Sequence, residues 1–581
     1  MRIIRTKIRN YRNLDNIEIC LSPHLNFIVG ENNLGKSNFL EMLDTLFNRA
    51  AFEEIDFLRK DEPIEIEFTL MLEDAEKGVF GDLFDPLDCE KINILAKQET
   101  PEDSIRYFHI ESGMEIPKQD IRCINFIKYD SLRMPRDELT FYKNKGVGKF
   151  LSYLVDKMLE EDKYNNEVFI NRDTLVPIIE YINNNLNYIR LFKVFGISAD
   201  IEENIKDLIF RLLCLKDQQG FDIKKLGYGV QFLLLVVLSI LEKIMYLFEN
   251  KRFSKSIFEK IEREKRIKGI SLVLGVDEPE IHLHPYMQRN LVKYIKNIIT
   301  NKDDNFQKIL KELFGLDTIY GQVIIVTHSP NIILDEYSEI IRFYPSTNKS
   351  IGVVSGKNFK LDIQLEKQLR RNMQYIKEAL FSKCVVIVEG DTEFGALPLW
   401  ANKILGDIDE YGVSFIRADS KDSIKPITNL MSHFNIPSVS IVDKDQGVDE
   451  DIKSIKNLII TNAKDFEEEI VNMLLCKKID LLFEIVKDYD NASLNRSIQK
   501  SKLEKISKSY NIMINWENRD YKFVEIVNYK NLDLVKAMFL AWLDINKSVT
   551  LGRFLGEKID VEFVPEPYKY AINLAKGCCE V

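Results

Sequence analysis

Hydrophobic and polar positions alternate at the start of the chain, and a short apolar run follows. The segments RIIRTKIRNY and LDNIEICL alternate in the way that predicts half-buried strands, and LNFIVG reads as a buried strand. A polar loop ENNLGK, an amphipathic helix SNFLEMLDTLF and a further strand IEIEFTLML come next. This order of strand, glycine loop and helix predicts the opening of an α/β nucleotide-binding sheet.

The pattern changes to a helical period in the next part of the chain. From about Lys143 to Phe221, apolar residues recur three and four positions apart, as in VPIIEYINNNL. The strands SLVLGV (271–276) and QVIIVT (322–327), followed by EIIRFY, restore the α/β pattern. We therefore expect one discontinuous sheet domain over residues 1–365, with a helical insertion at about 143–221.

A second α/β series follows a basic stretch, LEKQLRRNMQYIKEALFSK. It runs through CVVIVEG, the helical segment FGALPLWANKIL, VSFIRAD, the helical segment IKPITNLMSHF and SVSIVDKD. Strands that alternate with helices predict a second, smaller parallel sheet, and the remainder of the chain has a mostly helical pattern. We expect this second domain to span residues 376–581.

Composition narrows the class of protein. The chain has 581 residues, of which 45% are hydrophobic and 29% are charged, as in ordinary globular proteins of several domains. No uninterrupted apolar run is longer than Phe232–Leu238, which is far shorter than the ~20 residues of a spanning helix. We therefore expect no membrane span and, because the charged N-terminal sequence does not resemble a signal peptide, a cytoplasmic location.

Charge and cysteine content exclude little else. Lys and Arg number 80 against 91 Asp and Glu, so the net charge is −11, which does not favour indiscriminate nucleic-acid binding but permits a local basic groove. The eight cysteines include no CxxC pair, which argues against a disulfide framework and a structural zinc site.

The first candidate site lies in the glycine loop. Residues 30–37, GENNLGKS, fit the GxxxxGK[ST] pattern, whose backbone N–H groups wrap phosphates. Lys36 would reach the β and γ phosphates, and Ser37 would hold Mg²⁺. The candidate ATP-binding residues of this loop are Gly30, Asn32, Asn33, Gly35, Lys36 and Ser37.

Two further motifs fit the same site. The strand LVLGV ends in Asp277, which would bind Mg²⁺ through water, and Glu278, which would polarise the attacking water. His328, in the segment THSP after the next strand, could donate to the γ phosphate or to that water. The alternatives are a solvated strand end for the two acids and a packed or capping histidine.

The second candidate site is a set of carboxylates at strand ends. Glu389 and Glu393 follow the strand VVIV as EGxxE, and Asp443 and Asp445 follow SIV as DxD. If the two strands are parallel neighbours, four carboxylates gather at one edge and repel unless cations lie between them, which implies Mg²⁺ or Mn²⁺. Two such ions could activate water and stabilise the leaving oxygen of a phosphodiester. The alternative is that these acids face solvent.

These motifs resemble two known families. NYRNL (10–14), EPEIHLHP (278–285) and THSP (327–330) are similar to segments of ABC-type ATPase heads in the branch of the RecF, SMC/Rad50 and OLD (overcoming lysogenization defect) proteins. EGxxE followed by DxD resembles the Toprim domain. This succession is the architecture of the OLD nucleases, and it implies an α/β fold: an ABC/RecF-like ATPase head with a helical insertion, then a Toprim domain with a helical C-terminal extension.

The resemblance also implies a function. It suggests an ATP-regulated, metal-dependent DNA endonuclease that nicks or cuts double-stranded DNA in bacterial antiphage defence, as in the Gabija system. One Mg²⁺ would accompany ATP, and two Mg²⁺ or Mn²⁺ ions would lie in the Toprim site. Partners would be double-stranded DNA, further copies in a homodimer or homotetramer formed through the ATPase domains and their helical insertion, and a helicase-like protein.

The same resemblance assigns roles to two further residues, and the chain departs from the family pattern at one position. Glu467 would be a metal ligand, and Lys547 would stabilise charge at the scissile phosphate. The alternatives without a catalytic role are a solvated helix start for Glu467 and a surface lysine for Lys547. Tyr228, in LGYGVQ (226–231), stands where the ATPase signature usually has serine. ATP binding is therefore implied, while efficient hydrolysis and the direction of ATP control stay open.

Two alternatives to a nuclease remain at this point. One is a non-nucleolytic, ATP-gated DNA-binding or recombination factor, and the other is a sensor scaffold that controls a partner effector. Two basic runs could contact phosphates. For residues 251–268 we favour a solvated helix face with Glu–Lys pairs. Residues 496–508 are the better candidate for phosphate contacts, because they lie in the nuclease half.

Overall fold

The computed structural model describes most of the chain. The described residues are 1–129, 138–139, 147–160, 176–177, 179–181, 183, 214–217, 219–249, 256–262, 265–281, 283–346, 350–361, 363–444, 450–490, 494, 496–516, 521 and 531–580. Most of the predicted helical insertion at about 143–221 lies outside the described residues. Its predicted role in dimerisation therefore stays a prediction. The part that is described begins with the helix Gly148–Glu160, in agreement with the helical period.

The strands and helices of the described residues have the following bounds. The strands are β1 (Arg2–Arg9), β2 (Ile17–Cys20), β3 (Leu25–Gly30), β4 (Ile64–Met71), β5 (Lys91–Gln98), β6 (Arg106–His109), β7 (Glu115–Ile116), β8 (Phe126–Tyr129), β9 (Ile257–Glu262), β10 (Lys265–Asp277), β11 (Thr318–Val326), β12 (Ile340–Pro345), β13 (Ile351–Ser355), β14 (Cys384–Val388), β15 (Val413–Arg417), β16 (Ser438–Val442) and β17 (Leu458–Ile460). The α-helices are Lys36–Asn48, Lys118–Ile121, Gly148–Glu160, Tyr228–Glu249, Pro285–Ile299, Asp304–Phe314, Ile363–Ala379, Asp391–Leu405, Ile408–Tyr411, Lys421–His433, Glu450–Lys453, Phe466–Lys477, Ile479–Tyr489, Lys500–Ser509, Leu532–Asn546, Val549–Lys558 and Glu566–Cys579.

The described residues group into two compact units. The first comprises Met1–Ile4, Pro23–Leu25 and Ser37–Thr327, and the second comprises Arg5–Ser22, Asn26–Lys36 and His328–Val581. These units differ from the predicted domains 1–365 and 376–581, whose boundaries stay a prediction.

The first unit contains parallel and antiparallel strands. Strand β10 pairs in parallel with β11 on one side and with β8 on the other, while β4, β5, β6 and β7 pair antiparallel in that order. From Ile270 to Val276, β10 is buried at every position. Burial of both faces is typical of a strand inside a parallel sheet, and it explains the continuous apolar run SLVLGV.

The interpretation of residues 251–268 as a helix face is wrong where the structure describes them. Strand β9 pairs antiparallel with the start of β10, and Glu259 stands directly opposite Lys268. The Lys268 ammonium lies 3.2 Å from the Glu259 carboxylate. The predicted Glu–Lys pairing is therefore present, but it crosses two strands, because residues directly opposite each other in an antiparallel pair bring their side chains together.

The helix beginning at Tyr228 changes one expectation from the sequence. Among the described residues, Gly229–Glu249 is long and apolar enough to cross a membrane by length and composition alone. The length of uninterrupted apolar runs does not by itself exclude a membrane span, because this helix contains interrupted ones. Just over half of its most apolar stretch, 56%, is buried in the protein, and core helices of globular proteins pass the same test.

The second unit contains the predicted second sheet. Strands β15, β14, β16 and β17 lie side by side in that order, and each neighbouring pair is parallel. Elsewhere in this unit, β12 pairs in parallel with β3 and antiparallel with β13, and β1 pairs antiparallel with β2. The prediction of a second, smaller parallel sheet is confirmed.

The C-terminal helices share one core with this sheet. Trp400 stacks on Phe466 at a ring-centroid distance of 5.8 Å, and Tyr568 meets the Phe466 ring at 5.4 Å. All three side chains are at most 2% exposed. The helical extension that the sequence predicted is thus part of the core of the Toprim-like region, because its aromatic residues pack directly behind the sheet.

Two glycines allow one of these helices to approach the sheet's first helix. A Cβ atom on Gly395, in Asp391–Leu405, would lie 2.3 Å from the Val549 carbonyl oxygen. A Cβ on Gly552, in Val549–Lys558, would lie 2.1 Å from the Thr392 carbonyl oxygen. These distances are shorter than any side chain tolerates, so the two helices touch through their backbones.

We expect Gly552→Ala to destabilise the protein by about 1–3 kcal/mol, because the added methyl group would force the two helix backbones apart. Gly577→Ala is the matched control: Gly577 lies in the helix Glu566–Cys579, and a Cβ there meets no atom within 4 Å. Alanine at that position should stabilise by up to about 1 kcal/mol through helix propensity. Urea unfolding followed by tryptophan fluorescence measures both changes, and equal effects of the two substitutions would contradict the close-packing argument.

Candidate functional site

Two predicted nucleotide-site residues meet in the first unit. The Ser37 hydroxyl donates to Asp277 Oδ1 at 3.0 Å, which joins the first turn of the helix Lys36–Asn48 to the end of β10. Serine and aspartate oxygens are ligands that Mg²⁺ accepts. Both residues fit the role that the sequence predicted for them.

Glu278 has an unusual backbone conformation directly after β10. Its φ is 43°, in the left-handed region that residues with a Cβ rarely adopt. Its N–H donates to the Val326 carbonyl at 2.9 Å, at the end of the neighbouring strand β11. Strain of this kind occurs often at functional residues, because the surroundings must hold the side chain in one direction.

The glycine loop itself belongs to the second unit. The buried Lys36 ammonium donates to the carbonyls of Gly30 at 3.0 Å and Glu31 at 2.5 Å. Gly35 has a φ of 77°, and Asn33 has a φ of 62°. The loop therefore curls back over the lysine, and in loops of this kind successive backbone N–H groups can bind a phosphate.

The segment NYRNL supports this loop. The Asn13 side-chain amide donates to the Asn33 carbonyl at 3.2 Å. A Cβ on Gly35 would lie 2.5 Å from Asn13 Oδ1, and one on Gly30 would lie 2.1 Å from the Phe343 carbonyl oxygen. Glycine is required at position 30 because the blocking atom belongs to the backbone, and at position 35 because of its φ of 77°. The residues present fit a phosphate-binding cradle for ATP.

For three other residues that the sequence analysis assigned to the ATP site, the structure gives a position in the fold. Asn32 is exposed in the loop, and His328 is exposed just beyond the end of β11. Tyr228 is the first residue of the helix Tyr228–Glu249, and its side chain lies outside the described residues.

The Toprim carboxylates follow two neighbouring parallel strands, as predicted. Glu389 comes directly after β14, and Asp443 comes directly after β16. Glu393 lies in the first turn of the helix Asp391–Leu405 and is 2% exposed. Its Oε2 accepts from the Gly390 N–H at 2.8 Å, and its Oε1 accepts from the Tyr568 hydroxyl at 3.3 Å. Asp445 lies outside the described residues.

Glu467 and Lys547 form an ion pair in the same region. The Lys547 ammonium lies 2.9 Å from Glu467 Oε2, and the lysine side chain is 46% exposed while Glu467 is nearly buried. Lys547 lies between the helices Leu532–Asn546 and Val549–Lys558. The structure therefore joins the two residues that the family resemblance assigned, and half of the lysine still faces solvent.

Electrostatics show that the carboxylates share one neighbourhood. Burial, and then the negative charges of Glu393, Glu389, Asp465 and Glu467, raise the pKa of Asp443 to about 10. Burial and the charges of Glu467 and Glu389 raise the pKa of Glu393 to about 8, although the Gly390 N–H opposes this shift. Burial also raises the pKa of Glu467, and Lys547 opposes it. A positive charge at this place would relieve all three.

The fit to a metal ion is partial. Within the described ranges, no three His, Cys, Asp or Glu side chains are arranged to hold a metal ion. Asp443 Oδ1, however, is buried without a hydrogen-bond partner among the described residues. A buried carboxylate oxygen of this kind has a large desolvation cost, which a divalent cation would offset.

Three residues of this site were missed or given no role by the sequence. Tyr568 lies 175 positions from Glu393, so no local pattern predicts its contact. The Tyr510 hydroxyl donates to Asp465 Oδ2 at 2.6 Å, and burial together with this carboxylate raises the pKa of Tyr510. Asp465 also caps the helix Phe466–Lys477 by accepting from the Glu468 N–H at 3.0 Å, a role that the D-x-x-E spacing could have predicted.

The basic run at residues 496–508 is partly neutralised. Lys502 pairs with Asp544 at 2.5 Å, and Lys500 lies 3.7 Å from Glu504. Arg496, Lys505 and Lys508 are exposed. These three cations are the part of the run that remains available to phosphates.

Comparison with known proteins identifies both regions. Residues 1–145 and 84–333 match the family model described as "AAA ATPase domain", and together they span more than half of the chain. Residues 380–445 match the model described as "Overcoming lysogenization defect protein-like, TOPRIM domain".

Similar proteins cover most of the length. The "Old nuclease" of Escherichia phage P2 is 22% identical over 531 residues, which are 83% of this chain and 82% of that protein. The "Endonuclease GajA" of Bacillus cereus (strain HuB5-5) is 21% identical over 526 residues, 75% of this chain and 73% of that protein. A solved structure of the C-terminal region of the Xanthomonas campestris pv. campestris OLD protein is 18% identical, covers 35% of this chain and 96% of its own, and has a TM-score of 0.24. The chain thus belongs to the AAA ATPase domain family and carries an OLD-like Toprim domain after it.

Proposed function

We propose that the protein is a Toprim nuclease: a divalent-metal-dependent DNA endonuclease under the control of ATP. The observation that carries this proposal is the gathering of buried, mutually repelling carboxylates at the ends of β14 and β16, beside a half-exposed lysine. Relatives named as nucleases that match over most of the chain support it.

The chain's own residues would divide the work. Glu389, Glu393, Asp443, Asp445 and Glu467 would hold the cations. Bound divalent cations lower the pKa of water and neutralise the leaving oxygen of a phosphodiester. The Glu467 carboxylate holds the Lys547 ammonium, which would then attract a non-bridging phosphate oxygen.

The ATP-binding residues would regulate the nuclease. The loop around Lys36, with Ser37 and Asp277, would bind Mg²⁺–ATP, and Glu278 and His328 would act on the γ phosphate. We also propose that two or four copies associate through the ATPase domains, that the protein acts in the cytoplasm in antiphage defence, and that a helicase-like partner takes part. Light scattering with and without ATP tests the assembly, and phage plating on cells that express the protein tests the defence.

A second candidate function is an ATP-gated DNA-binding factor whose Toprim carboxylates have only a structural role. The observation that favours it is that the protein itself compensates part of the carboxylate charge, through the Lys547 ammonium at Glu467 and the Tyr568 hydroxyl at Glu393. Metal-dependent cutting by the purified protein would exclude this candidate.

We expect Asp443→Asn to reduce plasmid nicking and linearisation at least ~100-fold in Mg²⁺ or Mn²⁺, because the substitution removes a metal ligand. The fold should survive, since the neutral amide has the shape of the carboxylate and no charge to bury. The matched control is Asp409→Asn, an exposed aspartate in the helix Ile408–Tyr411. Full activity of Asp443→Asn would show that the carboxylates are structural.

The pH should control how strongly a metal ion stabilises the protein. The pKa of Asp443 is about 10 in the folded state against an ordinary 3.8, so between these values the folded protein holds a proton that the unfolded chain has lost. The metal-free protein should therefore become less stable as the pH rises through this range. Mg²⁺ competes with that proton, so its stabilising effect should grow with pH.

Thermal unfolding at pH 6.0 and at pH 8.5, with and without Mg²⁺, measures this effect. The increase in Tm that Mg²⁺ causes should be larger at the higher pH, and Asp443→Asn should remove most of the difference. A metal effect that is independent of pH would place the bound ion away from Asp443.

We expect Lys36→Ala to weaken ATP binding about tenfold or more, because it deletes the cation that would meet the β and γ phosphates. Cleavage by this variant should be the same with and without ATP, whereas ATP should change the rate of the wild-type protein. Lys60→Ala, at an exposed lysine, is the control. Equilibrium binding of a fluorescent ATP analogue, together with the plasmid assay, measures both properties, and an ATP effect that survives Lys36→Ala would assign control to another site.

A further inference from the structure

Arg342 is a charged residue in the interior of the second unit. It lies in β12, in the middle of the apolar segment EIIRFY, and only 2% of its surface is exposed. A buried guanidinium has a high desolvation cost unless its N–H groups are hydrogen-bonded, so the partners of Arg342 show what the residue holds.

The guanidinium binds four backbone carbonyls. Its Nε donates to Leu380 at 3.0 Å, and its Nη2 donates to Ser382 at 3.0 Å. Its Nη1 donates to both Phe434, at 3.2 Å, and Asn435, at 3.1 Å. The carbonyls form two groups around the guanidinium: those of Leu380 and Ser382, and those of Phe434 and Asn435.

Each group of carbonyls lies just beyond the end of a helix. Leu380 and Ser382 follow the helix Ile363–Ala379, and Phe434 and Asn435 follow the helix Lys421–His433. The last carbonyls of a helix lack intrahelical donors and carry partial negative charge, so a cation is favoured there. Burial lowers the pKa of Arg342 to about 10, which still leaves the group charged at neutral pH.

The two groups lead directly into the two strands of the nuclease site. Ser382 comes just before β14, whose end is followed by Glu389. Asn435 comes just before β16, whose end is followed by Asp443. One side chain therefore fixes the starting points of both strands whose far ends carry the carboxylates.

The strand that carries Arg342 adjoins the beginning of the glycine loop. Strands β12 and β3 pair in parallel, with Arg342 opposite Val29 and Phe343 opposite Gly30. Gly30 begins the loop, and the absence of a side chain there lets the Phe343 carbonyl approach. The charge of the loop residue Glu31 also acts on Arg342.

We propose that Arg342 is a positioning residue that couples nucleotide binding at the glycine loop to the placement of Glu389 and Asp443. A shift of β3 and β12 when the loop takes up a phosphate would move the guanidinium, and the guanidinium would move the ends of both strands through its four carbonyls. This inference rests on the proposed function, since it names the route by which ATP would regulate the nuclease.

Arg342→Lys is the direct test. Lysine retains the charge, but its single ammonium cannot span four carbonyls that a planar fork reaches from three nitrogens. The ratio of cleavage rates with and without ATP should fall from its wild-type value to within about twofold of 1, while the affinity for ATP stays within about threefold of wild type. Arg371→Lys, at an exposed arginine of the helix Ile363–Ala379, is the matched control and should behave as wild type.

Hydrogen exchange provides a readout that needs no cleavage and that a purely structural role would leave unchanged. In the wild-type protein, ATP should alter the exchange of the amides of residues 380–390 and 434–444, and in Arg342→Lys this response should be lost. ATP responses that persist in the variant, by either method, would overturn the coupling. So would a wild-type protein whose exchange in these segments ignores ATP, a result that requires no variant to fold.

The same design separates this inference from the proposed function. If the wild-type protein cuts no DNA but ATP alters exchange in an Arg342-dependent way, the nuclease proposal fails and the coupling stands. If the protein cuts DNA and the ATP response is the same in Arg342→Lys, the coupling fails and the nuclease proposal stands.

Discussion

Repulsion among buried carboxylates is the constraint on which the Toprim region depends. Glu389, Glu393, Asp443, Asp465 and Glu467 lie close enough for their charges to act on one another in surroundings that hold little water. Such a group cannot be fully ionised without compensation. The protein supplies partial compensation from several directions: the Gly390 N–H and the Tyr568 hydroxyl meet Glu393, and the Lys547 ammonium meets Glu467. What remains uncompensated, chiefly at Asp443, is the capacity that a divalent cation would use.

This constraint explains why the small sheet carries so long a helical extension. The sheet provides acids at the ends of its strands, but the hydroxyl and ammonium groups that oppose them come from Tyr568 and Lys547, both in the extension. Their placement depends on packing: Tyr568 is fixed by the rings of Trp400 and Phe466, and Lys547 immediately precedes a helix that touches its neighbour through Gly395 and Gly552. The packing of the core therefore determines where the side chains of the site lie.

The features of the fold and the site that could be predicted from sequence were those that a short motif or a strand pattern specifies. Apolar strands that end in Glu389 and Asp443 predicted acids at a shared edge on the condition that the strands are parallel neighbours, and they are. The glycine loop and the strand before Asp277 predicted that Ser37 and Asp277 belong to one nucleotide site, and their side chains are in contact. Tyr568 and Tyr510 had no local signal, because a hydroxyl finds a distant carboxylate only through the tertiary fold. The strand β9 was misread because alternating Glu and Lys satisfy both a helix face and a strand pair, and only the opposite strand decides between them.

A site of this kind is sensitive to small movements of the strands. The interaction between two charges varies inversely with their separation and is strong where water is excluded, so a displacement of a few tenths of an ångström at Glu389 or Asp443 changes both the repulsion and the affinity for a cation. The positions of these residues are set by strands only five residues long. A group that holds the beginning of both strands would therefore act on the carboxylates at their ends, and Arg342 holds both beginnings from the strand that lies beside β3. Under the coupling that we propose, nucleotide binding would change the repulsion among the carboxylates, and with it their affinity for a cation, through these two short strands.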